Sequence, residues 1–390
     1  MTRRPVVVAV LASFAVTSIL IVAVSRPAVA EPAGPGVSRG AVAATPFPEP
    51  VPGHEVYGYV PYWEMDEGIA AHLAATDLTT LGLFSVTHKK SGAIATGERG
   101  YKRLTSDLGR KLIREAHDRG VRVEVVYTSF GTKKNAAFFG DPKAQERTIE
   151  GLLRLVDELS VDGINVDVEL LDLADVPAYG AFVGRLREAV RAAQAEATVS
   201  VATGAGVRGT AMAAAAAATG ADRIFLMGYD YHTAGSEPGA SAPIGRRDGS
   251  QKDLNWSLDM YRDAGVPAER TVLGLPLYGV EWPTAEQRPG ASATGKGDVW
   301  IPRRNLDVLD DPDNQPVFDP VEGVELLTIK AGSGWRSIYF DSPASLTPKL
   351  NLADTRGLAG AGFWAIGYER GLPDYTDLIA TFHAGRLAAP

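Results

Sequence analysis

Short apolar runs alternate with longer amphipathic stretches along most of the chain. Runs of about four to eight residues, rich in Val, Leu, Ile and Tyr, are typical of β-strands. They predict strands over residues 56–61, 81–87, 122–127, 163–167, 198–203, 223–228, 271–277 and 360–365. Apolar residues at helical spacing predict helices over 105–119, 144–159, 174–195, 210–219, 253–264 and 375–384. Eight strands separated by helices predict an α/β fold, the (β/α)8 TIM barrel, with a doubly wound open sheet as the alternative.

The alternation is interrupted between the seventh and the eighth predicted strands. Prolines recur from Pro283 to Pro320, and they break any long helix there. Two short β-like runs, 324–330 and 335–340, lie in the same stretch. We therefore predict a small insertion over about residues 282–341. Insertions at this end of a barrel commonly form one wall of the substrate cleft.

The N-terminal residues have the pattern of a secretory signal. Arg3 and Arg4 precede an uncharged apolar run over 6–24, and small residues at Ala28 and Ala30 follow. This order predicts a signal peptide over 1–30 and a secreted protein, with an uncleaved membrane anchor as the alternative. Residues 31–53 are rich in Pro, Ala and Gly and are predicted to be a linker. The barrel domain is then expected over 54–388.

Composition excludes several classes of partner and site. The formal net charge is −8, which argues against a nucleic-acid partner and against adhesion to anionic membranes. The chain has no Cys, so it contains neither disulfides nor thiolate metal sites. Its six His residues lack metal-ligand spacing, and a glycine-rich stretch at 290–297 lacks the Ser or Thr that a phosphate-binding loop requires. We expect a monomer that uses no metal and no cofactor.

The residues with the strongest chemical pattern lie on the fourth predicted strand. Side chains alternate between the two faces of a strand, so Asn165, Asp167 and Glu169 share one face. Both faces of a parallel barrel strand are normally apolar. A polar stripe at the C-terminal end of such a strand lies where barrel enzymes have their active sites. The alternative is a strand end that simply emerges into solvent.

The pattern Asp-x-x-Asn-x-Asp-x-Glu over 162–169 resembles the signature of family 18 glycoside hydrolases, the chitinase family. That family usually has Asp at the position of Asn165. Four further stretches are similar to family motifs and follow in the same order: 56–63, 227–230, 273–279 and 362–364. Together the motifs cover about residues 55–385.

The resemblance implies a retaining hydrolase that cleaves β-1,4 bonds of N-acetylglucosamine-containing glycans, such as chitin, with help from the substrate's own acetamido group. Glu169 would be the acid and base, Asp167 would stabilise the acetamide, and Tyr229 and Asp230 would hold it. Two alternatives stay open: a peptidoglycan N-acetylglucosaminidase, and a non-catalytic chitin-binding lectin on the same scaffold. The lectin is disfavoured because Glu169, Asp167 and Tyr229 are all present.

The remaining candidate residues support the site or bind sugar. Asp162 and Asn165 are expected to support it, and Asn165 is predicted to donate a hydrogen bond to Asp167, which an amide can do without adding a charge. Aromatic side chains at strand ends suit the flat apolar faces of sugars. The predicted substrate-binding residues are Tyr59, Trp63, Met227, Tyr278, Trp282 and Trp364.

Overall fold

The computed structural model of the protein describes residues 54–387, so the predicted signal peptide and linker lie outside the described residues. Its strands, in chain order, are β1 (Glu55–Pro61), β2 (Thr80–Thr87), β3 (Arg122–Phe130), β4 (Gly163–Glu169), β5 (Thr198–Gly204), β6 (Arg223–Met227), β7 (Thr271–Pro276), β8 (Gly279–Thr284), β9 (Asp298–Trp300), β10 (Val317–Asp319), β11 (Val324–Ala331), β12 (Gly334–Phe340) and β13 (Gly360–Trp364). Its α-helices are α1 (Ile69–Ala74), α2 (Arg99–Leu104), α3 (Asp107–His117), α4 (Thr132–Phe139), α5 (Pro142–Leu159), α6 (Val176–Ala193), α7 (Val207–Ala218), α8 (Leu254–Asp263), α9 (Leu306–Asp310), α10 (Pro343–Thr355) and α11 (Pro373–His383).

Eight parallel strands close into a barrel in the order β1-β13-β7-β6-β5-β4-β3-β2. Each neighbouring pair is parallel, and helices connect most of them on the outside. The predicted TIM barrel is confirmed, and the open sheet is excluded because β1 pairs with both β2 and β13. The predicted strands coincide with these eight to within a few residues at their ends.

The insertion after the seventh strand is a second, antiparallel sheet. Its strands lie in the order β10-β11-β12-β8-β9, and all of them fall between β7 and α10. Three of these strands, β8, β9 and β10, were not predicted, because they are short or contain proline and carry no clear alternation. The chain therefore leaves the barrel soon after β7 and returns to it through α10.

Helix α5 illustrates how the sequence forms the outer layer. The Asp141 side chain accepts hydrogen bonds from the backbone N–H groups of Lys143 (3.0 Å) and Ala144 (3.1 Å), and Pro142 occupies the first turn. The first N–H groups of a helix have no partner within it. Asp141 accepts hydrogen bonds from two of them, and Pro142 has no N–H to satisfy, so both residues favour the start of a helix. The helix ends at Ser160, whose backbone is left-handed (φ 55°). Its buried face packs on the barrel and includes Ile149, Leu152, Leu155, Val156 and Leu159.

Two layers of the hydrophobic core lie on the two sides of the barrel strands. One layer fills the space between strands and helices and includes Ile164, Val166 and Val168 of β4. The other lies inside the barrel and contains the aromatic side chains Tyr57, Tyr59, Phe84 and Phe225 with the small or branched Val126, Ala202 and Val272. These rings, contributed by β1, β2 and β6, thus form an aromatic floor inside the barrel. None of the helices within residues 54–387 is long and apolar enough to cross a membrane.

Candidate active site

The polar stripe of β4 points into the barrel. Asn165 and Asp167 are buried and Glu169 is half-buried, while Ile164, Val166 and Val168 belong to the layer under the helices. In register, Asn165 lies beside Val126 of β3 and Ser200 of β5, and Asp167 lies beside Thr128 and Ala202. The stripe therefore rises through the barrel interior to its C-terminal rim, as predicted from the alternation.

Glu169 is fixed at the point where β4 ends. The next residue, Leu170, has a left-handed backbone (φ 58°), an uncommon conformation for a bulky side chain. The carbonyl oxygen of Glu169 accepts hydrogen bonds from Asn135 Nδ2 (2.6 Å) and from the N–H of Gly131 (3.2 Å). Ser129 Oγ in turn donates to Asn135 Oδ1 (2.7 Å). These contacts hold the backbone of Glu169 in place.

The two carboxyl groups of the stripe have raised pKa values. Burial, followed by the carboxylate of Asp230, raises the pKa of Glu169 to about 7. Burial, with the neighbouring Glu169 as the second cause, raises the pKa of Asp167 well above its usual range. A carboxyl group with a pKa near 7 can donate a proton and take one back at neutral pH. Glu169 therefore has the properties of a general acid and base.

Three buried polar atoms above the barrel floor lack a hydrogen-bond partner within residues 54–387. They are Oδ1 of Asp167, Oδ1 of Asn165 and the hydroxyl oxygen of Tyr59. Leaving a buried polar group unpaired typically costs about 1–3 kcal/mol. Such groups gather where a ligand supplies the missing partners. Two of these atoms belong to the stripe and the third belongs to Tyr59 of β1, and together they mark the position where a polar group of a substrate would bind.

The amide of Asn165 does not donate the hydrogen bond to Asp167 that was predicted from the sequence. Its Nδ2 donates to Ser200 Oγ at 2.7 Å, on the neighbouring strand β5. Ser200 Oγ donates to Glu124 Oε2 at 2.5 Å, so its single hydrogen points away from Asn165. A hydroxyl oriented in this way is an acceptor, and it attracts the NH₂ end of the amide.

Glu124 is a buried carboxyl group that the sequence analysis missed. It lies on β3 inside the barrel, 2% exposed, and also accepts hydrogen bonds from Tyr57 Oη (2.8 Å) and Thr198 Oγ1 (2.7 Å). Burial raises its pKa, and the hydroxyl donors partly offset that effect. One signal was available, because Glu124 is the only charged residue after Arg122 in the run that predicts the third strand.

Tyr229 and Asp230 follow β6, which is two strands away from β4 in the barrel, and they lie near Asp167 and Glu169. Asp230 has a left-handed backbone (φ 63°), and its N–H donates to Ser241 Oγ (3.0 Å). Tyr278 is buried and donates its hydroxyl to Asp230 Oδ1. The rings of Tyr229 and Tyr278 pack edge to face at 6.2 Å. Tyr278, predicted to bind substrate, thus lies behind Asp230 and holds it.

The floor of the cleft is aromatic. Trp364, at the end of β13, is half-buried, and its ring lies 4.8 Å from Phe84, 5.6 Å from Tyr59 and 6.3 Å from Trp63. Trp63 is 43% exposed and donates its Nε1–H to Tyr368 Oη at 3.2 Å. Met227 is half-buried and packs on the inner layer. Trp364 and Trp63 therefore offer ring surface at the C-terminal end of the barrel, as a sugar requires.

Two predicted site residues lie elsewhere. Trp282 is 1% exposed in β8 of the insertion, where its Nε1–H donates to the carbonyl of Ser236 (3.0 Å) and its ring packs on Tyr339. It has no face free for a sugar. Asp162 precedes β4 at the opposite end of the barrel, where it accepts hydrogen bonds from the N–H of Val123 (2.7 Å) and pairs with His117 (2.8 Å). It joins β3 to β4 and does not support the site.

Within residues 54–387, no cluster of three or more His, Cys, Asp or Glu side chains could hold a metal ion. The chemistry that the described residues themselves can perform is proton transfer by Glu169 and electrostatic stabilisation by Asp167, above an aromatic floor.

Comparison with known proteins places this site in a family. The sequence pattern of glycosyl hydrolases family 18 matches residues 55–369. The chain is similar to a class V chitinase of Lotus japonicus, with 31% identity over 37% of each chain. It is also similar to the cortical fragment-lytic enzyme of Bacillus subtilis, with 22% identity over 76% of this chain and 67% of that protein. The alignments with several of these relatives span less than half of their lengths.

A solved structure has the same fold. A family 18 N-acetylglucosaminidase from Paenibacillus barengoltzii superposes with a TM-score of 0.70 at 19% identity, over 84% of this chain and 99% of that one. At this identity the likeness establishes the barrel fold.

Proposed function

Since the chain belongs to glycosyl hydrolase family 18, we propose that it cleaves β-1,4 bonds of glycans that contain N-acetylglucosamine, with retention of configuration. One observation carries the proposal. Glu169, with a pKa of about 7, shares a strand face with Asp167, whose buried Oδ1 has no partner within residues 54–387. This arrangement places a proton donor next to an acceptor that awaits a substrate N–H.

The first step transfers a proton and closes a ring. Glu169 gives its proton to the glycosidic oxygen, and the bond from that oxygen to the anomeric carbon breaks. The acetamido oxygen of the same sugar attacks the anomeric carbon, so an oxazolinium ion forms and the leaving chain departs as an alcohol. Asp167 accepts the acetamide N–H and stabilises the positive charge. A carboxylate held in an environment that raises its pKa gains most from such a nearby cation.

The second step returns the proton. Glu169, now a carboxylate, takes a proton from water as that water attacks the anomeric carbon on the face left by the departing chain. The ring of the intermediate opens, and the acetamide is restored. Two displacements at the same carbon give a product with the configuration of the substrate. Glu169 ends the cycle protonated, so every proton is accounted for.

The positions of the carboxyl groups favour the acetamide over an enzyme nucleophile. Asp167 and Glu169 lie two residues apart on one strand, with Cα atoms about 6.5–7 Å apart and both side chains on the same face. A carboxylate nucleophile would have to lie across the sugar ring from the acid. An internal nucleophile on the substrate removes that requirement.

Two polymers, chitin and peptidoglycan, are the candidate substrates. Both chitin and peptidoglycan contain N-acetylglucosamine, and the β4 stripe would contact only the sugar at the cleavage point. The plant relative is a chitinase, and the bacterial relative that aligns over most of this chain is a cortical fragment-lytic enzyme. A lectin function is disfavoured, because a binding protein has no use for a carboxyl group with a pKa of about 7.

Incubating the purified protein separately with chitin oligomers and with peptidoglycan tests the proposal. Products are reduced with borohydride and identified by mass, so that each newly formed reducing end is labelled. We expect N-acetylglucosamine at those ends with at least one of the two substrates. The Glu169→Gln protein, prepared in parallel, controls for contaminating hydrolases. An absence of product from both polymers, with folded protein, would contradict the proposed activity.

We also propose that the protein is exported and acts as a monomer. The support for export is the order of charged, apolar and small residues over 1–30. Sequencing the N-terminus of protein recovered from the culture medium would test cleavage after Ala30.

A further inference from the structure

A buried carboxyl group lies one level below the catalytic stripe, and the proposed reaction does not use it. Glu124 and Val126 share the inward face of β3, and Val126 is in register with Asn165. An unpaired charge in such a place would be strongly unfavourable. Three hydroxyl groups, of Tyr57, Thr198 and Ser200, donate to its two oxygens. The sequence thus provides a dedicated set of donors for one carboxylate.

The hydrogen bonds of Glu124 determine how Asn165 is oriented. Ser200 has a single hydroxyl hydrogen, and it points to Glu124 Oε2. Toward Asn165 the same oxygen can only accept, and it accepts from Nδ2 at 2.7 Å. The two ends of an amide diverge from one carbon, so Oδ1 is directed away from Ser200. That oxygen is one of the three buried atoms above the barrel floor that lack a hydrogen-bond partner within residues 54–387.

We propose that Glu124 is a positioning residue: through Ser200 it holds the Asn165 amide so that its oxygen, not its NH₂ group, is available to Asp167. The inference rests on the proposed function, because its effect is exerted on the step that Asp167 assists. An acceptor beside a carboxyl group favours the protonated form, and a donor favours the anion. The position of one hydrogen on Ser200 thus sets how readily Asp167 becomes the anion that the reaction needs.

The charged and titratable groups around the hydrogen-bonded route from Glu124 through Ser200 to Asn165 come from β1, β3, β4, the segment after β6 and helix α6. Those facing Glu124 are Arg122, Tyr57 and Tyr59, and those facing Asp167 are Glu169, Tyr59, Tyr179 and Tyr229. The tyrosines hold their protons throughout the working pH range, since burial raises the pKa of each. The groups around this route that change charge are therefore the three carboxyl groups of Asp167, Glu124 and Glu169.

Glu124→Gln tests the proposal. The glutamine NH₂ group can donate to Ser200, which frees the serine hydrogen to point to Asn165 and lets the amide turn its NH₂ group toward Asp167. The anion of Asp167 is then favoured, so the acid limb of the kcat profile should move to lower pH by about one unit. We expect kcat at the optimum to fall by at most about 10²-fold. A merely structural role would lower kcat without moving the limb.

Two further variants complete the test. Ser200→Ala breaks the same route without changing a charge, so its acid limb should also move downward, and the double variant should add little. Thr198→Val removes a donor to the other oxygen of Glu124, Oε1, and should leave the limb in place. Acid limbs of Glu124→Gln and Ser200→Ala that superimpose on the parent's would overturn the inference. A parent protein that is inactive on every substrate would refute the proposed function instead.

Discussion

Replacing Glu169 with glutamine is expected to lower kcat by about 10²–10⁴-fold, because the variant has no proton to give the leaving oxygen. Glutamine has nearly the same shape, and the backbone of Glu169 is held by Asn135 and Gly131 whatever its side chain. Binding of a chitin oligomer, measured by calorimetry, should therefore change little. An exposed residue of the same type, Glu150 on α5, provides the matched control. Glu150→Gln should be indistinguishable from the parent.

The dependence of activity on pH provides a second test of the role proposed for Glu169. Glu169 must carry its proton to act as the acid, and its pKa is about 7. Activity is therefore present below that pH and falls as the pH rises through it. The alkaline limb should be absent from whatever activity Glu169→Gln retains. Activity within tenfold of the parent, with the limb preserved, would remove Glu169 from the reaction.

Replacing Asp167 with asparagine is expected to lower kcat by about 10²–10³-fold. The amide keeps the volume of the carboxyl group but cannot supply the negative charge that faces the oxazolinium ion. Because that charge acts on the intermediate more than on the bound substrate, KM should change much less than kcat. A thiazoline mimic of the cyclised intermediate should lose affinity by a larger factor than a chitin oligomer does.

Asp162 offers a control on the same segment of chain. It lies seven residues before Glu169, about 23 Å away along an extended strand, and it bonds to β3. Asp162→Asn should retain the parent's kcat, with any effect confined to the melting temperature. If Asp162→Asn lost activity while Asp167→Asn kept it, the assignment of roles along β4 would be wrong.

The sequence predicted the barrel because each strand gives a local signal. Apolar runs such as 122–127 and 198–203 are bounded by helical stretches, and that order leaves few possible folds. That Asn165, Asp167 and Glu169 share one face of β4 was also predictable, because the alternation of side chains depends only on that strand. Strand ends were less exact: β3 continues to Phe130, because pairing with β4 extends it beyond its apolar run.

The partner of Asn165 could not be predicted, because it is set by barrel closure. Ser200 is 35 residues away along the chain and reaches Asn165 only because β4 and β5 pair in register. Glu124 is further from Ser200 along the chain, and the two meet inside the barrel because their strands, β3 and β5, lie on either side of β4. Nothing local to 162–169 identifies either residue. The sequence feature that could have identified Glu124 is its charge at an inward position of an otherwise apolar strand.

The two misplaced residues have separate causes. Trp282 follows the seventh strand closely, so it was expected at the cleft, but the chain has already turned into β8 and buries the ring against Tyr339. Asp162 is the first residue of the motif and was grouped with the rest. Its even number places it out of phase with Asn165, Asp167 and Glu169 on a strand whose faces alternate. That phase alone separates it from the face of β4 that carries Asp167 and Glu169.

The anomeric form of the first product tests the central claim most directly. A β-linked chitin oligomer is mixed with enzyme in an NMR tube, and proton spectra are recorded before mutarotation mixes the anomers. If the acetamido group forms the intermediate and water opens it, the first signal belongs to the β-anomer, and the α-anomer appears only later. An α-anomer as the first product would mean a single direct displacement by water, and would contradict the mechanism proposed for Asp167 and Glu169.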